Sequence, residues 1–213
     1  MNACNYLLKG NPDRLINAKV YGYWSLRWAG GNADQALRTL QSEPFESMQV
    51  IRSAKNEPFF LHLQLIALHA ACYWVYAAAL PHLANTISTA AYTETLRLMK
   101  QGLEDGIKDL RKSDGRPYSA ELAGIFMNSF ELLYQAVRDD FAGNSDVDPQ
   151  VVNFNLSRTA ATFIHGTARL YGVDPVDLDT APEMVLGHYV DDIPLQVMTP
   201  LKEQISVRPD SGC

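Results

Sequence analysis

Pro58-Phe-Phe-Leu-His-Leu-Gln-Leu-Ile-Ala-Leu-His-Ala-Ala-Cys-Tyr-Trp-Val-Tyr-Ala-Ala-Ala-Leu80 contains no Asp, Glu, Lys or Arg, and its apolar residues fall on every side of a helical wheel. A helix that is apolar all round must be surrounded, either by other helices or by lipid. The stretch is long enough to span a bilayer by length alone. Against spanning stand His62, Gln64 and His69 in its first half and the absence of a Lys or Arg anchor after Pro81. The expected element is a buried core helix over 58–80, opened by Asn56 and Pro58 and ended by Pro81.

The flanking sequence supplies the surroundings. Asn11-Pro12 starts a helix with Ile16, Val20, Tyr23, Trp24 and Arg27 on one face, and Gly30-Gly31 is read as its stop. Asn32 then caps a short second helix. Ser42 caps a third, with Phe45, Met48, Ile51 and Ala54 on one side. Between about Ser88 and Lys112, Leu96, Leu103 and Leu110 share a stripe that is either core or interface, opposite Lys100, Glu104 and Lys108 at ion-pair spacing. Leu122, Phe126, Phe130, Leu133, Val137 and Phe141 form an apolar stripe on the next helix, capped by Ser119 and stopped at Gly143-Asn144. Asp148-Pro149 restarts the chain, with Val152, Leu156, Ala160, Phe163, Thr167 and Tyr171 facing inward and Gly172 closing the element. Thr180-Ala-Pro-Glu183 matches a capping box and predicts a helix through about His188, with Leu195 to Met198 as the one strand candidate.

The fold expected is all-α: a single-domain bundle of six to eight helices around the helix at 58–80, occupying 1–190, with a partly flexible C-terminal tail at 191–213. A chain of 213 residues, 47% hydrophobic and 20% charged, is long enough for one sizeable core. The three cysteines, Cys4, Cys72 and Cys213, are sparse and form no C-x-x-C pair, and the N-terminus lacks a basic leader followed by a long apolar run. Both features point to a cytoplasmic setting with reduced thiols.

No Gly-rich phosphate loop, G-x-S-x-G elbow, H-E-x-x-H pair or E-x-x-H pair occurs. The sequence therefore assigns no catalytic residue, metal ligand or cofactor. His62 and His69 project from nearly the same side of the central helix, but two helical turns (about 10 Å) separate them, too far for one ion. With Gln64, and with His165 or His82 from another helix, they could line a polar ligand-binding pocket. Arg111, Lys112 and Arg116 form the densest basic cluster, at a helix C-terminus where positive charge complements the dipole. That local role and the net charge of −6 argue against a nucleic-acid partner.

The most unusual charge feature is acidic. No Lys or Arg falls between Arg169 and Lys202, whereas Asp174, Asp177, Asp179, Glu183, Asp191 and Asp192 do, interleaved with apolar residues. These six acids equal the net charge of the whole chain. Such a segment fits a protein partner with a basic surface, the acids steering the encounter and the apolar side chains holding it. The functional expectation is a protein–protein interaction module, an adaptor, regulator or inhibitor that acts by binding, as a homo-oligomer. The competing expectation is a small-molecule or metal-binding helical protein or enzyme with its pocket at His62, Gln64 and His69.

Overall fold

The computed structural model describes residues 18–55, 57–79, 97, 100–102, 104–105, 120–144 and 157–206. All regular structure among them is helical, with no strand. In chain order the elements are α1 (Ala18–Leu40), a 3-10 turn (Phe45–Ser47), α2 (Gln49–Ala54), α3 (Phe59–Ala79), α4 (Ala120–Asn144), α5 (Arg158–Leu170), a second 3-10 turn (Pro175–Asp177) and α6 (Thr180–Ser206). The segments holding His82, Leu96, Leu103, Leu110, Arg111, Lys112, Arg116 and Asp148 to Leu156 lie outside the described residues.

The uncharged stretch is α3, and it occupies the centre. Of residues 60–75 all but His62 and Ile66 are buried, including Trp74, Leu61, Leu65 and Leu68. The helix packs against α1, α2, α4, α5 and α6, which is what an element without a polar face requires. Ala67, Ala70 and Ala71 let neighbouring axes approach closely. Cys72 is fully buried and reduced, its thiol pKa pushed up by desolvation, so it behaves as a small hydrophobe.

α1 packs on α3 through a ridge of small side chains, Ser25, Ala29, Ala33 and Ala36, ending at Leu40. Asn32 Nδ2 donates to the Tyr73 hydroxyl at 2.8 Å, and the Trp28 and Tyr73 rings lie 5.6 Å apart. The break expected at Gly30-Gly31 does not occur: one helix runs through both glycines. Each interior glycine costs about 0.5–1 kcal/mol, and burial of Ala29 and Ala33 on either side of the pair outweighs it. The third helix expected after Ser42 is instead divided, because Met48 is extended (φ −70°, ψ 142°) between the 3-10 turn and α2.

In α4 the expected stripe holds: Phe126, Phe130, Leu133 and Val137 are buried and Phe141 packs against them half-buried. Lys100, read as part of an intrahelical series, pairs with Glu131 of α4. Ser157 caps α5, its Oγ accepting from Ala160 N at 3.1 Å, while Asp140 Oδ2 accepts from Thr159 N at 2.8 Å. The other end of α5 is a Schellman closure: Gly172 sits at φ +70°, Val173 N donates to Ala168 O and Gly172 N to Arg169 O. Just before it, the Tyr171 hydroxyl accepts from Leu61 N (3.0 Å) and donates to Glu57 O (2.7 Å), tying this corner to the start of α3.

α6 departs most from expectation. It does not stop near His188, and residues 195–198 are helix rather than strand. The boundary expected at 190/191 falls within it, between buried Val190 and Ile193. Pro194 and Pro200 each remove an i→i−4 hydrogen bond. Burial of Leu186, Val190, Ile193 and Val197 on one face of the helix overrides that loss.

Candidate partner-binding face

The acidic segment begins at the corner after α5. Asp174 Oδ1 accepts from Val176 N at 3.0 Å and initiates the 3-10 turn with Pro175, which leaves Val176 89% exposed beside Asp177. Asp179 Oδ1 accepts from Ala181 N at 3.3 Å, so the cap of α6 is Asp179, not Thr180. Glu183, expected to close a capping box, contributes only its backbone N–H, to Asp179 O. Its Oε1 is buried without a hydrogen-bond partner among the described residues, and its carboxyl pKa is raised by burial, against the pull of His165. Asp191 accepts from Ser157 Oγ at the start of α5; burial raises its pKa and the serine hydrogen bonds oppose that. Asp174, Asp179 and Asp191 thus stabilise local structure, and Asp177 and Asp192 are the two of the six left both exposed and without such a bond among the described residues.

The helical period of α6 divides its side chains cleanly. Leu186, Val190, Ile193 and Val197 face the core. On the opposite side Met184 (36%), Val185 (47%) and Leu195 (64%) are exposed, and His188, Asp192 and Gln196 lie among them at three- and four-residue steps. Among the described residues the other exposed large apolar side chains on an α-helix are Ile125 and Leu132 of α4, on the same helix as Glu131, where Lys100 docks.

The histidine set does not surround one space. His62 Nε2 lies 2.8 Å from Asp34 Oδ1 at the partly exposed α1–α3 edge. Gln64 is fully buried on another side, its Nε2 donating to Ser129 Oγ at 2.7 Å. His69 is buried and its Nδ1 lies 2.7 Å from Leu65 O of its own helix, so Nδ1 carries the proton. His165 is exposed on α5. Among the described residues no group of three or more His, Cys, Asp or Glu is arranged to hold a metal ion.

Burial depresses the pKa of His69 below its ordinary 6.5, only partly countered by the Leu65 carbonyl. Above that value the ring is neutral in both folded and unfolded chains. As pH falls below it the unfolded chain takes up a proton first, so stability drops, by at most about 1.4 kcal/mol per pH unit for one proton. Asp191 and Glu183, with raised pKa values, act in the opposite sense: their effect disfavours the fold as pH rises through those values. His69→Leu is therefore expected to keep stability within about 1 kcal/mol at neutral pH and to flatten the acid-side loss. Urea unfolding of both proteins between pH 5 and pH 7.5 checks this by difference, in which the carboxylates cancel; parallel profiles would refute it.

Sequence reasoning missed the apolar outer face of α6 because it ended the helix near His188. The signal was present as the spacing of Met184, His188, Asp192 and Leu195, legible once Pro194 is allowed inside a helix. Fold and face together define an all-α protein with a half-committed C-terminal helix. No helix among the described residues is long and apolar enough to cross a membrane. No protein-family model, curated protein or solved structure matches the chain.

Proposed function

We propose that this protein acts by binding a protein partner through the outward face of α6. The observation that supports this is the exposure of Met184, Val185 and Leu195 on a helix whose opposite face is fully committed to the core. Apolar side chains grouped on one face, with polar residues between them, have the composition of a recognition surface. The pocket reading has less support, because His62, Gln64, His69 and His165 occupy separate environments. The acids at Asp174, Asp179 and Asp191 serve the fold, so the apolar side chains rather than the acidic charge as a whole form the adhesive part.

Site-specific photo-crosslinking in the expression host tests this. A benzophenone amino acid at Leu195 or Val185 is expected to give a discrete protein adduct, and the same probe at exposed Arg38 of α1 is expected to give none. Equal labelling at all three positions, or none at 195 and 185, would refute the reading.

A further inference from the structure

Resting on that reading, we infer that the partner is a second copy of this chain, docked with its α6 antiparallel across a two-fold axis at the level of residue 190. In an isologous contact, residue i of one subunit meets j of the other and j meets i. Along two antiparallel helices, positions symmetric about the axis lie opposite one another. Six exposed residues of α6 obey that symmetry. Val185 then lies level with the partner subunit's Leu195, His188 with the partner subunit's Asp192, and Met184 with the partner subunit's Gln196, each pair occurring twice. Leu195 meets the apolar pair Val185 and Met184 and the imidazole meets a carboxylate, so the face complements itself.

A basic protein surface fits less well. Within this face Asp192 is the one exposed acid, and it sits four residues from His188, so no uniform acidic field is presented. The face runs from Ala181 to Gln196, roughly 23 Å of helix. Two such faces bury on the order of 1,000 Å² in total, the lower limit of a specific interface. The dimer is therefore reversible.

Sedimentation velocity of the purified full chain from about 1 to 500 µM, the range in which a small interface titrates, tests the inference. The wild type is expected to shift from monomer to dimer with concentration. Leu195→Lys is expected to stay monomeric throughout with an unchanged thermal midpoint. His188→Glu sets a carboxylate opposite a carboxylate and is expected to weaken association about tenfold or more, and Asp192→Lys is expected to weaken it as well. The double variant His188→Glu/Asp192→Lys places a glutamate opposite a lysine across the axis and is expected to recover most of the loss. Recovery distinguishes a contact between subunits from the intrahelical pairing of the same residues, which would leave the oligomeric state unmoved.

A wild type monomeric to the highest concentration, or a dimer indifferent to Leu195→Lys, overturns the inference. The crosslinking experiment separates that failure from failure of the broader reading. Adducts to a different protein from position 195 would retain the binding face and discard the second copy, whereas no adduct would discard both.

Discussion

Gly166→Ala is expected to destabilise the protein by about 2 kcal/mol, and Gly166→Val by roughly twice that. A helical Gly→Ala change ordinarily stabilises by up to about 1 kcal/mol, so the expected sign is reversed by its surroundings. A Cβ at 166 would lie 2.4 Å from Ser129 Oγ, with Gln64 Nε2 and Ser129 Cβ at 3.6 Å. The serine hydroxyl could rotate away, but it is the acceptor for Gln64 Nε2 at 2.7 Å. Gln64 is fully buried and its Oε1 already has no hydrogen-bond partner among the described residues. Moving Ser129 therefore strands the whole amide, and an unmade buried bond costs about 1–3 kcal/mol. Adding Ser129→Ala removes the clash but leaves the amide unpaired, so little recovery is expected. Adding Gln64→Met as well makes the crossing apolar and should recover most of the loss. Urea midpoints of the single, double and triple variants measure the coupling. A neutral or stabilising Gly166→Ala would show that α3, α4 and α5 do not meet as closely as this geometry requires.

That junction also shows where sequence reading reaches its limit. α3 was legible because a run without charge must be surrounded on every side and His62, Gln64 and His69 favour protein over lipid as the surroundings, and the α4 stripe because Phe126, Phe130, Leu133 and Val137 repeat at the helical period. Gly172 was legible as a stop because a Schellman closure demands a residue tolerant of positive φ. Gly30-Gly31 and Pro194 carried the same local signals without the same result. In both places burial on the flanking turns exceeds the local penalty, and burial depends on partners distant in the chain. Gln64, Ser129 and Gly166 share no local pattern at all, since they come from three helices. The acidic segment was visible as composition, but three of its six carboxylates turned out to hold backbone N–H groups or a serine hydroxyl, which composition does not disclose.

Two adjacent aspartates convert that last distinction into an expected result. Asp191→Lys should lower stability by about 2–3 kcal/mol, while Asp192→Lys should change it by no more than about 0.5 kcal/mol. Asp191 accepts from Ser157 Oγ, and that oxygen in turn accepts from Ala160 N, so the carboxylate supports the cap of α5 from the neighbouring helix. It stands at the positive end of the α5 dipole, where an anion is favoured and an ammonium is opposed. Asp140 occupies the same helix start, bonded to Thr159 N, and its charge adds to the burial that raises the pKa of Asp191. The raised value means that the ionised form is the less favoured one in the fold. Its contribution is best at pH below the ordinary aspartate value and declines as pH rises through the raised one. Asp191→Asn keeps an acceptor, removes that decline and should cost less than about 1 kcal/mol at neutral pH. Asp192 faces outward and is exposed, so under the proposed function its reversal is expected to alter binding and not folding. Thermal and urea unfolding at a concentration where the chain is monomeric distinguish the pair. Equal losses at both positions would mean that Asp192 is also held by the fold, and the outer face of α6 would then not be free to bind.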